Sequence, residues 1–128
     1  MSLSESSGIV LHLLNVVAFC AFVSAIFMFV TGALAGALGT AEQARGREQE
    51  SRAARLFALA LKWGAGVPLV ESFAIATAAH WPSFSAAVFV SHWHLSVVFL
   101  VPFLVFTSAG CAAHLRALQA RGAQPPDA

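Results

Sequence analysis

The residue type in this chain most suited to chemistry is histidine, present at five positions: His12, His80, His92, His94 and His114. Imidazole is an axial ligand of b-type haem and a common ligand of copper and zinc, so histidines gathered at one depth could hold haem b or a copper ion. Their other use is interfacial, each ring keeping its polar tip in water and its apolar body against lipid. Glu71 is the second residue of interest, because it is the only acidic side chain between Leu56 and Ala79. A carboxyl inside an apolar stretch is expensive and marks a site of proton or quinone handling, or a hydrogen bond to a Ser or Thr of a neighbouring helix. Cys20 and Cys111 fall at different depths of the elements described below, too far apart to bond, and read as small core residues.

These residues sit in a chain whose composition sets its class. Of 128 residues, 59% are hydrophobic and 10% charged, against about 25% charged in an ordinary soluble domain. Net charge is +1, and without a clustered basic face there is no case for nucleic acid as a partner. Nor does the sequence carry a phosphate loop or a nucleophile with a paired base, so no independent catalytic activity is expected.

Three apolar stretches must position the candidates: 9–38 and 86–113, with no Asp, Glu, Lys or Arg, and 56–79, with only Lys62 and Glu71. Crossing roughly 30 Å of hydrocarbon takes about 20 helical residues, so each is long enough. In lipid only a helix satisfies its own backbone, and the predicted fold class is an all-α, integral membrane domain of three transmembrane helices. The strongly polar segment 40–55 is expected to be a solvated loop with helical extensions, residues 80–85 a tight turn around Pro82, and about 119–128 a disordered tail.

Orientation follows from the basic residues, which favour the cytoplasmic side. Arg45, Arg47, Arg52 and Arg55 lie in the first connection and Arg116 and Arg121 in the tail, with none before the first helix or in the second turn. That pattern predicts an N-terminus outside and a C-terminus in the cytoplasm, in a bacterial cytoplasmic (inner) membrane. Lys62 can snorkel to the inner surface, while Trp81 and Trp93 flank the outer turn and Trp63 the inner side. Glu5 and the absence of an N-terminal basic residue speak against a signal peptide, so the first helix is expected to be retained.

With this topology His12, His80, His92 and His94 all approach the outer surface, and His114 lies in the cytoplasmic tail near Arg116. His92 and His94 are about 200° apart on one helix, so only one can face inward. Glu71 and His80, nine residues apart, occupy opposite sides of the second helix. If Glu71 faces inward, His12 and His94 become the preferred ligand pair, with His92 the substitute and His80 a further metal candidate.

The sequence Leu11-His12-Leu13-Leu14 followed by Ala18-Phe19-Cys20-Ala21 resembles the opening helix of the copper-resistance D and HemJ-type haem-binding membrane proteins. His92-Trp93-His94-Leu95-Ser96-Val97 resembles their Trp-x-His-x-Lys helix start, and Arg55-Leu56-Phe57 their Arg before the second helix. The resemblance implies haem b ligation by His12 and His94. Phe19 stands where the family usually has Trp, Phe22 where it often has Gly and Ser96 where it often has Lys, so HemJ-like catalysis is not implied. Members generally have at least four helices, so three would leave one side of a haem uncovered and call for other membrane subunits or a homo-oligomer.

Gly32 and Gly36 form a Gly-x-x-x-Gly pair that lets helix backbones approach closely, either at a second interface or within this chain. Gly64, Gly66 and Pro68 suggest a bend in the second helix. Three functional readings follow. The chain binds a b-type haem near the outer face within a larger electron-transfer complex; or it is a cofactor-free accessory or assembly subunit of a multisubunit membrane complex; or it handles copper. Only Met1 and Met28 are methionines, which argues against a methionine-rich copper site.

Overall fold

A computed structural model describes the backbone of residues 3–123 and, within it, the side chains of 5–81 and 91–122. It consists of three long helices: α1 (Leu3–Ala44), α2 (Glu48–His80) and α3 (Pro82–Ala123). Each contains a stretch long and apolar enough to cross a membrane, as a multi-pass membrane protein requires. At 1.5 Å per residue the 42 residues of α1 extend roughly 60 Å, about twice the hydrocarbon thickness. The helices therefore run well past the apolar stretches and carry charged residues on their extensions.

That overrun takes up most of the segment 40–55, where a solvated loop with helical extensions was expected. Only Arg45, Gly46 and Arg47 are non-helical there. Gly46, at φ 81°, takes the left-handed conformation that glycine adopts without a Cβ penalty. The Arg47 amide donates to the Glu42 carbonyl at 2.9 Å and the Gly46 amide to Gln43 at 3.0 Å, a Schellman closure of α1. Glu48 and Glu50 then open α2, where carboxylates suit the helix dipole. The second connection is tighter still. Trp81 alone separates α2 from α3, its φ and ψ of −133° and 75° lying outside the α region as the residue before proline prefers. Pro82 then starts α3, where its missing N–H costs nothing. Of the expected tail, 119–123 continue α3, and 124–128 lie outside the described residues.

The helices form a layer with α2 in the middle. Both α1 and α3 pack along it, while no Cα atom of α1 comes within 8 Å of one of α3 among the described residues. Small residues make this possible: Ala53, Ala58, Ala60, Gly64, Ala65, Gly66, Ser72, Ala74, Thr77 and Ala79 are the buried positions along the span of α2, with Ser51 at its start. Among the described residues the buried apolar side chains are all alanines, whereas large ones such as Phe19, Phe27 and Leu34 are about two-thirds exposed or more. A water-soluble fold would invert that distribution. It is the arrangement of membrane helices, where close approach of small residues holds the spans together and lipid can solvate the large ones.

The two seams use glycine differently. On α1, Gly32 and Gly39 bring that backbone against α2: a Cβ on Gly32 would lie 3.0 Å from the Ala58 carbonyl oxygen, and one on Gly39 3.0 Å from that of Ser51. The Gly32–Gly36 pair is thus spent inside the chain, not on a second interface. On the other seam Gly64 and Gly66 form notches in α2 that receive the Phe103 and Phe99 rings of α3, and Gly110 of α3 receives Phe57. Phe99 also meets Trp63, ring centroids 5.9 Å apart. The helix runs unbroken through Gly64, Gly66 and Pro68, where a bend was expected, and Pro68 cannot donate to the Gly64 carbonyl.

Candidate functional site

The seams fix how each candidate side chain is presented. Gly66 faces Phe99, Gly64 faces Phe103 and Phe57 faces Gly110, so α2 and α3 are antiparallel in a defined register. Extended toward their connection, that register sets His94 level with Glu71 and Ser72. On the other side Gly32 meets Ala58 to Lys62 and Gly39 meets Ser51 to Arg55, which sets His12 level with His80. The four histidines at this end therefore occupy two depths, His92 and His94 lying about 12 Å deeper along the helices than His12 and His80.

Their directions differ too. His92 falls on the stripe of α3 that carries Phe99, Phe103 and Gly110, at intervals of whole turns, and it is buried with 9% exposure. Its ring packs at 5.0 Å from that of Trp93. His94 lies half a turn from Phe103 and is exposed, so of the two neighbours it is His92 that faces α2. His12 is likewise exposed and about half a turn from the Gly32–Gly36 stripe, and the shallow hollow beside it is lined by Glu5, Gly8, Ile9 and Leu13 of its own helix. His12 and His94 thus project from opposite outer edges of the layer and are not brought together within one chain. His80 ends α2 and is exposed. Among the described residues no three His, Cys, Asp or Glu side chains converge as a metal-binding group.

Glu71 is exposed on α2, away from both flanking helices. Nine residues separate it from His80 and from Lys62, both also exposed, so Glu71 looks out of one face of the layer and those two out of the other. Cys20 and Cys111 are both free thiols at the surface, which corrects their reading as core residues.

The charged end is better organised. Arg47 contacts Glu42 at 3.5 Å and Glu50 at 3.4 Å, Arg45 reaches Glu42 at 3.5 Å, and Glu50 is also paired with Arg121 of α3. The arginines are exposed while Glu42 is buried, and pairs open to solvent on one side contribute little energy singly. Together they tie the α1–α2 turn to the end of α3, across a sequence separation in which nothing marked Glu50 and Arg121 as neighbours. Beneath them is a cleft of about 380 Å³ walled by all three helices, with Ala35, Leu38, Ala53, Ala54, Phe57, Ala117 and Leu118 as apolar lining and Glu42, Glu50, His114 and Arg121 as polar lining. His114 is exposed and forms part of this wall. On the opposite face of the layer, Phe19, Phe22, Leu69, Phe73 and Leu95 border an apolar groove of about 600 Å³.

Comparison with family models, curated proteins and solved structures gives no match.

Proposed function

We propose that this chain is an accessory or assembly subunit of a larger membrane complex, with its N-terminus outside and its C-terminus in the cytoplasm of a bacterial inner membrane. The observation that carries this reading is Glu71, a carboxyl at the level of the apolar span that neither α1 nor α3 covers. Intramembrane carboxyls face protein or water and not lipid, so the chain is complete only against another one. The small residues of α2 are already used by its two neighbours, so the partner sits on the open face that Glu71 marks. The orientation rests on the basic residues of the charged end. Native electrophoresis after extraction in a mild detergent tests the reading. The expected species is heavier than the 13.4 kDa chain with its detergent, and a homogeneous single chain would overturn it.

A b-type haem is the second reading, favoured by the exposure of His12 and His94 on the two outer edges of the layer. Each edge can meet a neighbouring chain, so a haem on His12 or on His94 would take its second axial ligand from that chain. Haem held there would supply one-electron transfer, in keeping with an electron-transfer complex whose Glu71 handles protons or a quinone. The test is a visible spectrum of the purified assembly: reduced Soret and alpha bands lost in His12→Ala and His94→Ala support it, and a colourless preparation sinks it. Metal analysis of the same sample decides copper at His12, His80 or His94.

A further inference from the structure

We propose that the cleft at the charged end is a binding site for a phospholipid with a primary-amine headgroup. The cleft straddles the limits of the apolar stretches. Ala35, Leu38 and Phe57 belong to them, while Glu42, Glu50 and Arg121 stand just beyond. An apolar slot whose mouth is charged, at the depth where hydrocarbon gives way to headgroups, fits an amphiphile with its chain in the slot and its polar end at the rim. All three helices contribute to the walls, which makes this cleft a built feature of the layer, unlike the shallow hollow beside His12.

The rim carries both signs of charge, and this selects the headgroup. Glu42 is buried, with 9% exposure, yet its contacts to Arg45 and Arg47 are 3.5 Å long, beyond the 2.7–3.2 Å of well-made N–H···O bonds. A carboxylate offers about four acceptor positions, so Glu42 retains capacity toward the cleft. Glu50 is occupied by Arg47 and Arg121. A primary ammonium brings three donors to Glu42, and a quaternary one brings none. His114 and Arg121, on the α3 wall, stand where the phosphate of the same headgroup would be received. A purely anionic lipid would satisfy the α3 wall and set its charge against Glu42, so the zwitterion with a primary amine is the better match.

The test is native mass spectrometry of the full chain released from detergent with phosphatidylethanolamine, phosphatidylcholine or phosphatidylglycerol of identical acyl chains. The expected result is retention of phosphatidylethanolamine about tenfold above phosphatidylcholine, the scale of one charge-assisted hydrogen bond. Glu42→Gln should abolish the preference while lipid still binds, and Ala117→Phe, which fills the slot without touching the charges, should remove retention of all three. Helical circular dichroism checks that each variant folds, and Ala54→Leu replaces Ala117→Phe should that one not fold. Equal retention of the three lipids, a preference for phosphatidylglycerol, or equal binding of glycerophosphoethanolamine without acyl chains would each overturn the proposal.

Discussion

The α1–α2 and α2–α3 seams both depend on glycine, and in opposite ways. Along α1, Gly32 and Gly39 let one helix backbone rest against the carbonyls of another. Along α3, phenylalanines enter notches that Gly64 and Gly66 leave in α2. The first seam is limited by rigid backbone, the second by aromatic rings that must be shifted whole. The comparison teaches that glycine's use is set by what faces it and not by its spacing. It also explains the layer, because a central helix that has spent its small residues on two neighbours cannot close a third contact by itself.

The largest effect is expected at Gly66, where an added Cβ meets three atoms of the Phe99 ring. Gly66→Val should lower stability by about 3 kcal/mol, the upper range for overpacking, measured by denaturation in mixed micelles. Combining it with Phe99→Leu should cost less than the two separate changes together, since the residues are in contact. Strict additivity would remove the notch from the account. Gly39→Ala comes next. Its Cβ would lie 2.9 Å from Arg55 Cγ and 3.0 Å from the Ser51 carbonyl oxygen, and the side chain can yield where the backbone cannot. A loss of about 1–2 kcal/mol in the same assay is expected, and a gain would show that this seam is looser than described.

A smaller loss is expected for Gly46→Ala, of about 1 kcal/mol, because φ at that position is 81° and no packing is involved. Gly46→Asn should recover part of it, as asparagine tolerates the left-handed region. Gly36→Ala is the near-neutral case. Its Cβ would stand 3.5 Å from that of Ala58, an ordinary contact, and alanine gains about 0.5–1 kcal/mol of helix preference over glycine. A marked loss at Gly36 would reverse the ranking of positions within the Gly-x-x-x-Gly pair.

Much of the fold is legible in the sequence and less of the site. Charge-free runs such as 9–38 announce spans because hydrocarbon excludes charge, and Pro82 announces a connection because it disfavours helix in Trp81. The polar segment 40–55 read as a solvated loop with helical extensions because its charges signal solvent, but composition does not say how far the extensions reach, and Gly46 marks the turn. Gly32 and Gly36 were readable as a close-approach surface, but spacing does not say which helix approaches. Gly64 and Gly66 read as a bend and not as notches because their occupants, Phe103 and Phe99, lie more than thirty residues away in sequence.

Helical phase did predict that His92 and His94 would split, and the inward one is His92, set by the stripe it shares with Phe99 and Phe103. What phase alone lacked was register. Counting from the connections put four histidines at one surface, whereas the Gly66–Phe99 contact sinks His94 to the level of Glu71. The cleft of Glu42, Glu50, His114 and Arg121 was invisible because its residues come from three helices and each charge has an ordinary solvated reading.

The central claim is that the open face of α2 is covered by another chain through Glu71, and native mass determination of the detergent-extracted assembly with and without Glu71→Leu tests it most directly. Leucine removes the polar contact and suits lipid, so it should leave each chain folded, with unchanged helical circular dichroism, while the assembled species gives way to the 13.4 kDa chain. An assembly that keeps its mass in Glu71→Leu, or a wild-type chain that is already single, would contradict the account.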